Sequence, residues 1–136
     1  MSDPSAPIQK AIRDKLIADS GIAGIFAQRV YDEPPRKSAP AFPYVSFGPF
    51  QVLPDKADCI DGTELHIQID VWSRKIGGVE AKQGANAVKV ALDDVSLAPD
   101  GFTVVIFEHE RTDHLRDPDG ETHHSVVTFH ALAEAQ

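Results

Sequence analysis

The stretch from Thr63 to Asp94, TELHIQIDVWSRKIGGVEAKQGANAVKVALDD, decides the fold, because it sets the clearest strand of the chain beside its clearest helix. Leu65, Ile67, Ile69 and Val71 alternate with Glu64, His66, Gln68 and Asp70, the period-two pattern of a strand with one buried face. After the break at Ser73 to Gly78, Val79, Ala81, Ala85, Val88, Leu92 and Val95 recur at roughly helical spacing. A strand therefore hands over to an amphipathic helix of about four turns.

Working outward, Ile8, Ala11, Ile12, Lys15 and Leu16 step at helical intervals, predicting a first helix over about Ala6 to Ala18 with Ser5 as N-cap and Pro7 in the first turn. Ile22 to Phe26 reads as one more short apolar segment. Arg29 to Asp32 and Phe42 to Phe47 read as strands, the second ended by Gly48-Pro49. Two loops are expected, over about 33–41 and 50–62. The final third predicts an antiparallel hairpin over about 103–132, closed by Asp117-Pro118-Asp119-Gly120, which suits a type I turn. Its charged part, Arg111 to Glu121, is expected to project beyond the core. The fold class is α+β: a mainly antiparallel sheet of about five strands with two helices on one face, in the order α-β-β-β-α-β-β. The polar face of the Glu64–Trp72 strand is left uncovered, which invites a partner subunit.

At 136 residues the chain is one domain, residues 1–136, with room for a single core. The longest apolar runs span a few residues, so no segment crosses a bilayer, and no secretory pattern opens the chain; cytosolic synthesis and folding are expected. The net charge of -8 argues against a protein that grips nucleic acid through its phosphates. The lone Cys59, between Asp58 and Asp61, has no partner for a disulfide and sits where a thiolate is disfavoured.

Catalytic constellations are scarce. No G-x-S-x-G elbow accompanies Ser46, Ser73 or Ser125, and Gly77-Gly78 lacks a nucleotide-binding pattern. Five of the six histidines, His109, His114, His123, His124 and His130, lie in the last third. Closing the hairpin at residues 117–120 brings His114 and His123 across from one another, where Asp113 or Glu121 would complete a metal site. Surface or partner-facing histidines are the simpler reading of this pattern, and a histidine-based metal-binding module or small metalloenzyme is the alternative. Trp72, the only tryptophan, lies on the face of Gln68 and Asp70; it is either the end of the core or an interface anchor. The residues assigned to subunit contacts are Trp72, Asp70, Asp55, Lys56, Asp58, Arg111, His114, Arg116 and Asp119. A homodimeric module using the open sheet as a ligand platform is a further reading.

One ordered set of residues carries a resemblance: Val30-Tyr31-Asp32, Phe42-Pro43-Tyr44-Val45, Ile69-Asp70-Val71-Trp72-Ser73, and Gly77-Gly78-Val79-Glu80-Ala81 opening a helix that ends near Ala91-Leu92. Over about residues 28–92 the chain resembles the tail completion and tail terminator proteins of long-tailed bacteriophages, prophages and gene transfer agents. The resemblance implies a structural virion protein at the head-proximal end of the tail, assembled in the bacterial host cytoplasm, with no catalysis and no cofactor. It also implies a ring of six copies that caps the tail tube protein, docks on the head-tail connector protein and lets DNA pass through its lumen without specific binding. A connector or stopper protein of the same particle is the alternative. No residue role is carried over, since the family pattern is a folding pattern.

Overall fold

The computed structural model describes residues 3–55, 62–93 and 95–136. The elements run α1 (Ser5–Ala18), α2 (Ser20–Phe26), β1 (Val30–Tyr31), β2 (Tyr44–Asp55), β3 (Gly62–Ser73), α3 (Val79–Ala91), β4 (Phe102–Arg116) and β5 (His123–Ala135). Five strands form one sheet in the order β1-β2-β3-β5-β4. Every pairing is antiparallel except the short β1, which lies parallel to β2 through Val30 opposite Val45. The expected element order holds, with α2 as a third, seven-residue helix. It forms because Asp19, which ends α1, accepts a hydrogen bond from the Ile22 amide at 3.0 Å and so caps the next helix. At the start of α1, Ser5 is already helical rather than the cap, and its amide donates to the Asp3 carboxylate at 2.8 Å.

The helices fill one face of the sheet. Leu65, Ile67, Ile69 and Val71 of β3 are fully buried against Ile8, Ile12 and Leu16 of α1, Ile22 and Phe26 of α2, and Ala85 and Val88 of α3. Val127, Phe129, Ala131 and Ala133 continue that face on β5. Among the described residues, no helix is long and apolar enough to cross a membrane. Val79, counted above as part of the helical stripe, is 65% exposed because it is the first residue of α3, before the helix meets the sheet. Val95 lies past the helix end but still packs against the core.

Gly84 marks the tightest contact of α3. A Cβ there would lie 2.7 Å from Phe26 Cζ and 2.9 Å from Val71 Cγ1, both locked in the core. Gly84→Ala gains about 0.5–1 kcal/mol of helix propensity but incurs overpacking of about 1–3 kcal/mol. The expected result is a net loss of stability and a lower thermal midpoint; a rise would contradict this packing.

Three boundaries differ from expectation. Gly48-Pro49 does not end β2: the strand passes through a register shift between Phe47 and Phe50, and such an irregularity accommodates a proline that cannot donate to a regular ladder. The expected 50–62 loop is therefore strand as far as Asp55, and strand again from Gly62, while 56–61, with Lys56, Asp58 and Cys59, lie outside the described residues. Arg111 to Arg116 are not part of a projecting tip. They pair with His123 to Thr128, which in turn pair with β3, so only residues 117–122 form the turn.

The Asp117–Thr122 turn is held by Asp119. Its carboxylate accepts from the amides of Glu121 at 2.9 Å and Thr122 at 2.8 Å and from the Thr122 hydroxyl at 2.7 Å. The Gly120 amide donates to the Asp117 carbonyl at 3.0 Å, with Gly120 at a positive φ of 74°. The bonds from Thr122 and Glu121 lower the Asp119 carboxyl from 3.8 to about 2. A folded-state value depressed in this way contributes stability above the unfolded value that is lost as pH falls through about 2. An NMR titration of the Asp119 side chain should show that low midpoint, and Asp119→Ala should speed amide exchange at residues 120–122. A midpoint near 3.8 would contradict the turn geometry.

Candidate functional site on the open face of the sheet

Alternation along β3 and β5 sends Glu64, His66, Gln68, Asp70 and Trp72, with His124, Val126, Thr128 and His130, to the face opposite the helices. Two clusters form on it.

The first lies at the end of β3 near β1. Trp72 stacks on His124 with ring centroids 3.8 Å apart and 12° between planes, and lies 6.2 Å from Tyr44. Its indole Nε1 donates to Ser46 Oγ at 3.0 Å. Asp70 is buried beneath this stack, with Oδ1 2.7 Å from His124 Nε2 and accepting from Gln68 Nε2 at 2.9 Å. Burial holds the Tyr44 hydroxyl above its ordinary range, and the nearby Arg74 acts in the opposite direction. Trp72 therefore does not close the helix-packed core. It roofs a polar network within the subunit, and every buried side-chain polar atom among the described residues has a partner.

The second cluster joins three strands. His66 of β3 sits directly opposite His130 of β5, and His130 opposite Glu108 of β4. Glu64 Oε1 lies 3.1 Å from His66 Nε2 and 3.2 Å from His130 Nε2. The other ring nitrogens face Glu110 at 2.8 Å and Glu108 at 3.2 Å. Sequence reading missed this site because the contacts that assemble it, His66 with Glu110 and His130 with Glu64, join residues 44 and 66 apart. The signal that finds it is strand order: β5, inserted between β3 and β4, is the neighbour of β3, so His130 lands on His66.

The expected His114–His123 metal pair is not assembled as described. The register sets His114 opposite Ser125 and His123 opposite Arg116, because the closing loop has six residues. His114 Nδ1 is 2.7 Å from Ser125 Oγ, whose own proton goes to the Ala81 carbonyl at 3.3 Å. Both histidines line a cleft of about 460 Å3 with Lys82 and Arg116. Asp113 belongs to the opposite face of β4, and Glu121 to the exposed turn, so neither joins them.

Of the other residues assigned to contacts, Arg111 is exposed and pairs with Asp113 at 3.1 Å, and Arg116 is the exposed last residue of β4. Asp119 structures the turn. Asp55 ends β2, and Lys56 and Asp58 lie outside the described residues.

The two outer strands complete the surface. β1 covers only Val45 and Ser46 of β2, so from Phe47 to Pro54 β2 has no strand on its outer side among the described residues. β4 has none along its fifteen residues. Exposed apolar side chains gather on these two strands: Val52 and Leu53 on β2, and Val105, Ile106 and Leu115 on β4.

No curated protein matches the chain. Among solved structures, a chain of the virion of a native gene transfer agent particle superposes with a TM-score of 0.90 at 26% identity, covering 99% of this chain and 100% of that one. The bacteriophage SPP1 gp17 protein shares the fold, with a TM-score of 0.62 at 22% identity over 93% of this chain and 88% of that one. A family model described as tail completion protein gp17 matches residues 10–134. With the fold and the span in agreement, the chain belongs to the tail completion protein gp17 family.

Proposed function

We propose that the chain is a structural virion protein, the tail terminator subunit of a phage or gene transfer agent particle. Its copies close into a ring, six in number, that caps the tail tube protein and docks it to the head-tail connector protein. The observation that carries this reading is the pair of outer strands on opposite sides of one sheet, each lacking an outer strand neighbour among the described residues and bearing exposed apolar residues. Two different surfaces on one subunit give a head-to-tail contact, and such contacts generate a ring when the rotation closes. Strand edges are templates for pairing unless they are protected. The likeness to a chain within an assembled virion supports the same reading.

The net charge of -8 suits a lumen through which DNA slides, since phosphate is repelled rather than held. Nothing in this role calls for catalysis: Trp72, Asp70 and His124 hold one another within the subunit.

The test is an assembly assay with tail tubes and capsids of the source particle. A terminator binds one end of purified tubes, halts their growth and makes them competent to join heads. Binding to capsids alone, with no effect on tube length, would favour a connector or stopper instead.

A further inference from the structure

We propose that Glu64, His66 and His130 form a binding site for a divalent transition metal ion, Zn2+ in the first instance, on the open face of the sheet. The ligating atoms of the three residues lie within 4.8 Å of one another. The two oxygen-to-nitrogen separations, 3.1 and 3.2 Å, are close to the roughly 3.3 Å edge of a tetrahedron with ligands 2.0–2.1 Å from zinc.

The hydrogen-bond chemistry argues for a cation at this point. A neutral imidazole carries one N–H and one lone pair, yet both nitrogens of both rings face carboxylate oxygens. If Nδ1 of His66 donates to Glu110 and Nδ1 of His130 to Glu108, both Nε2 lone pairs point at Glu64 Oε1. Lone pairs facing a carboxylate oxygen at this range repel unless something positive lies between them. An added proton on each contact, carried by a ring or by a carboxyl, removes that repulsion, and so does one metal ion that takes Nε2, Nε2 and Oε1 together.

The surroundings favour the ion. Metal-bound histidines commonly donate their other N–H to a carboxylate, which fixes the tautomer and raises ligand basicity. Glu110 and Glu108 stand in those places. Adjacent strands fix the pair, since His66 and His130 are in direct register. The three side chains are 22–35% exposed, so an ion has a path in and water completes its coordination.

The experiment uses full-length, tag-free protein stripped with a chelator and titrated with Co2+ and Zn2+ by calorimetry and visible absorption. The free subunit suffices, so the result is independent of whether it forms rings. The expected result is one ion per chain, with a cobalt absorption band that Zn2+ abolishes. H66A and H130A should each lower affinity by more than the roughly 100-fold of a second-shell change, and E110Q by about 10-fold. H114A/H123A should leave it unchanged. In the unmodified protein, paramagnetic shifts from Co2+ should fall on the His66 and His130 rings, a readout that needs no variant to fold. The proposal is overturned by absence of stoichiometric binding, by binding that survives H66A and H130A, or by shifts on His114 and His123.

Discussion

Phe26→Ala should cost about 3–5 kcal/mol of folding stability, a large part of the roughly 5–15 kcal/mol available to a domain. Phe26 ends α2, is fully buried, and packs where α3 is thinned to Gly84. That glycine has no side chain with which to refill the space, so the cavity persists. Denaturant unfolding should show a lower midpoint with little change of slope. The matched control is Val79→Ala, apolar in sequence yet 65% exposed, which should stay within about 0.5 kcal/mol of the parent. Equal costs at the two positions would mean that the core is not where the helices meet β3.

The second large effect is expected on assembly rather than folding. Val105 on β4 is 55% exposed, and Leu53 on β2 is 39% exposed. Val105→Glu or Leu53→Glu should leave the melting curve of the free subunit almost unchanged while removing about 2 kcal/mol or more from each subunit contact, the scale of an interface hot spot. Rings then fail to close on tubes. A head-to-tail contact makes a sharper forecast. Each variant keeps one intact edge, so a mixture of the two forms heterodimers and no rings. If each variant caps tubes like the parent, the sheet edges are not the contacts.

Much of the fold is legible in local pattern. The alternation from Leu65 to Val71 fixes β3 and its buried face, and the spacing of Ala81, Ala85 and Val88 fixes α3, because both elements meet the core along a single periodic stripe. Pattern fails where a tertiary neighbour decides. Gly48-Pro49 reads as a stop, yet β3 continues alongside and carries β2 through a bulge. Likewise Arg111 to Arg116 read as a charged tip, but β5 supplies a partner for every one of them.

The candidate site was legible only in part. That Trp72 and Asp70 share the polar face follows from strand period alone, whereas the stack of Trp72 on His124 needs the β3–β5 register. The same register decides the histidines. A local hairpin argument pairs His114 with His123, while the sheet pairs His66 with His130, a contact between strands separated by α3 and β4. Sequence spacing carries no trace of such a meeting, and strand order supplies it.

The proposed role requires the subunit to close into a ring through its two sheet edges. The most direct measurement is the mass of the complex formed when the purified chain meets tail tubes, read by native mass spectrometry of released caps and by electron microscopy of tube ends. A single species of six copies at one end of each tube is the predicted result. Subunits that stay monomeric or dimeric with tubes present, or that coat the tubes along their length, would contradict it.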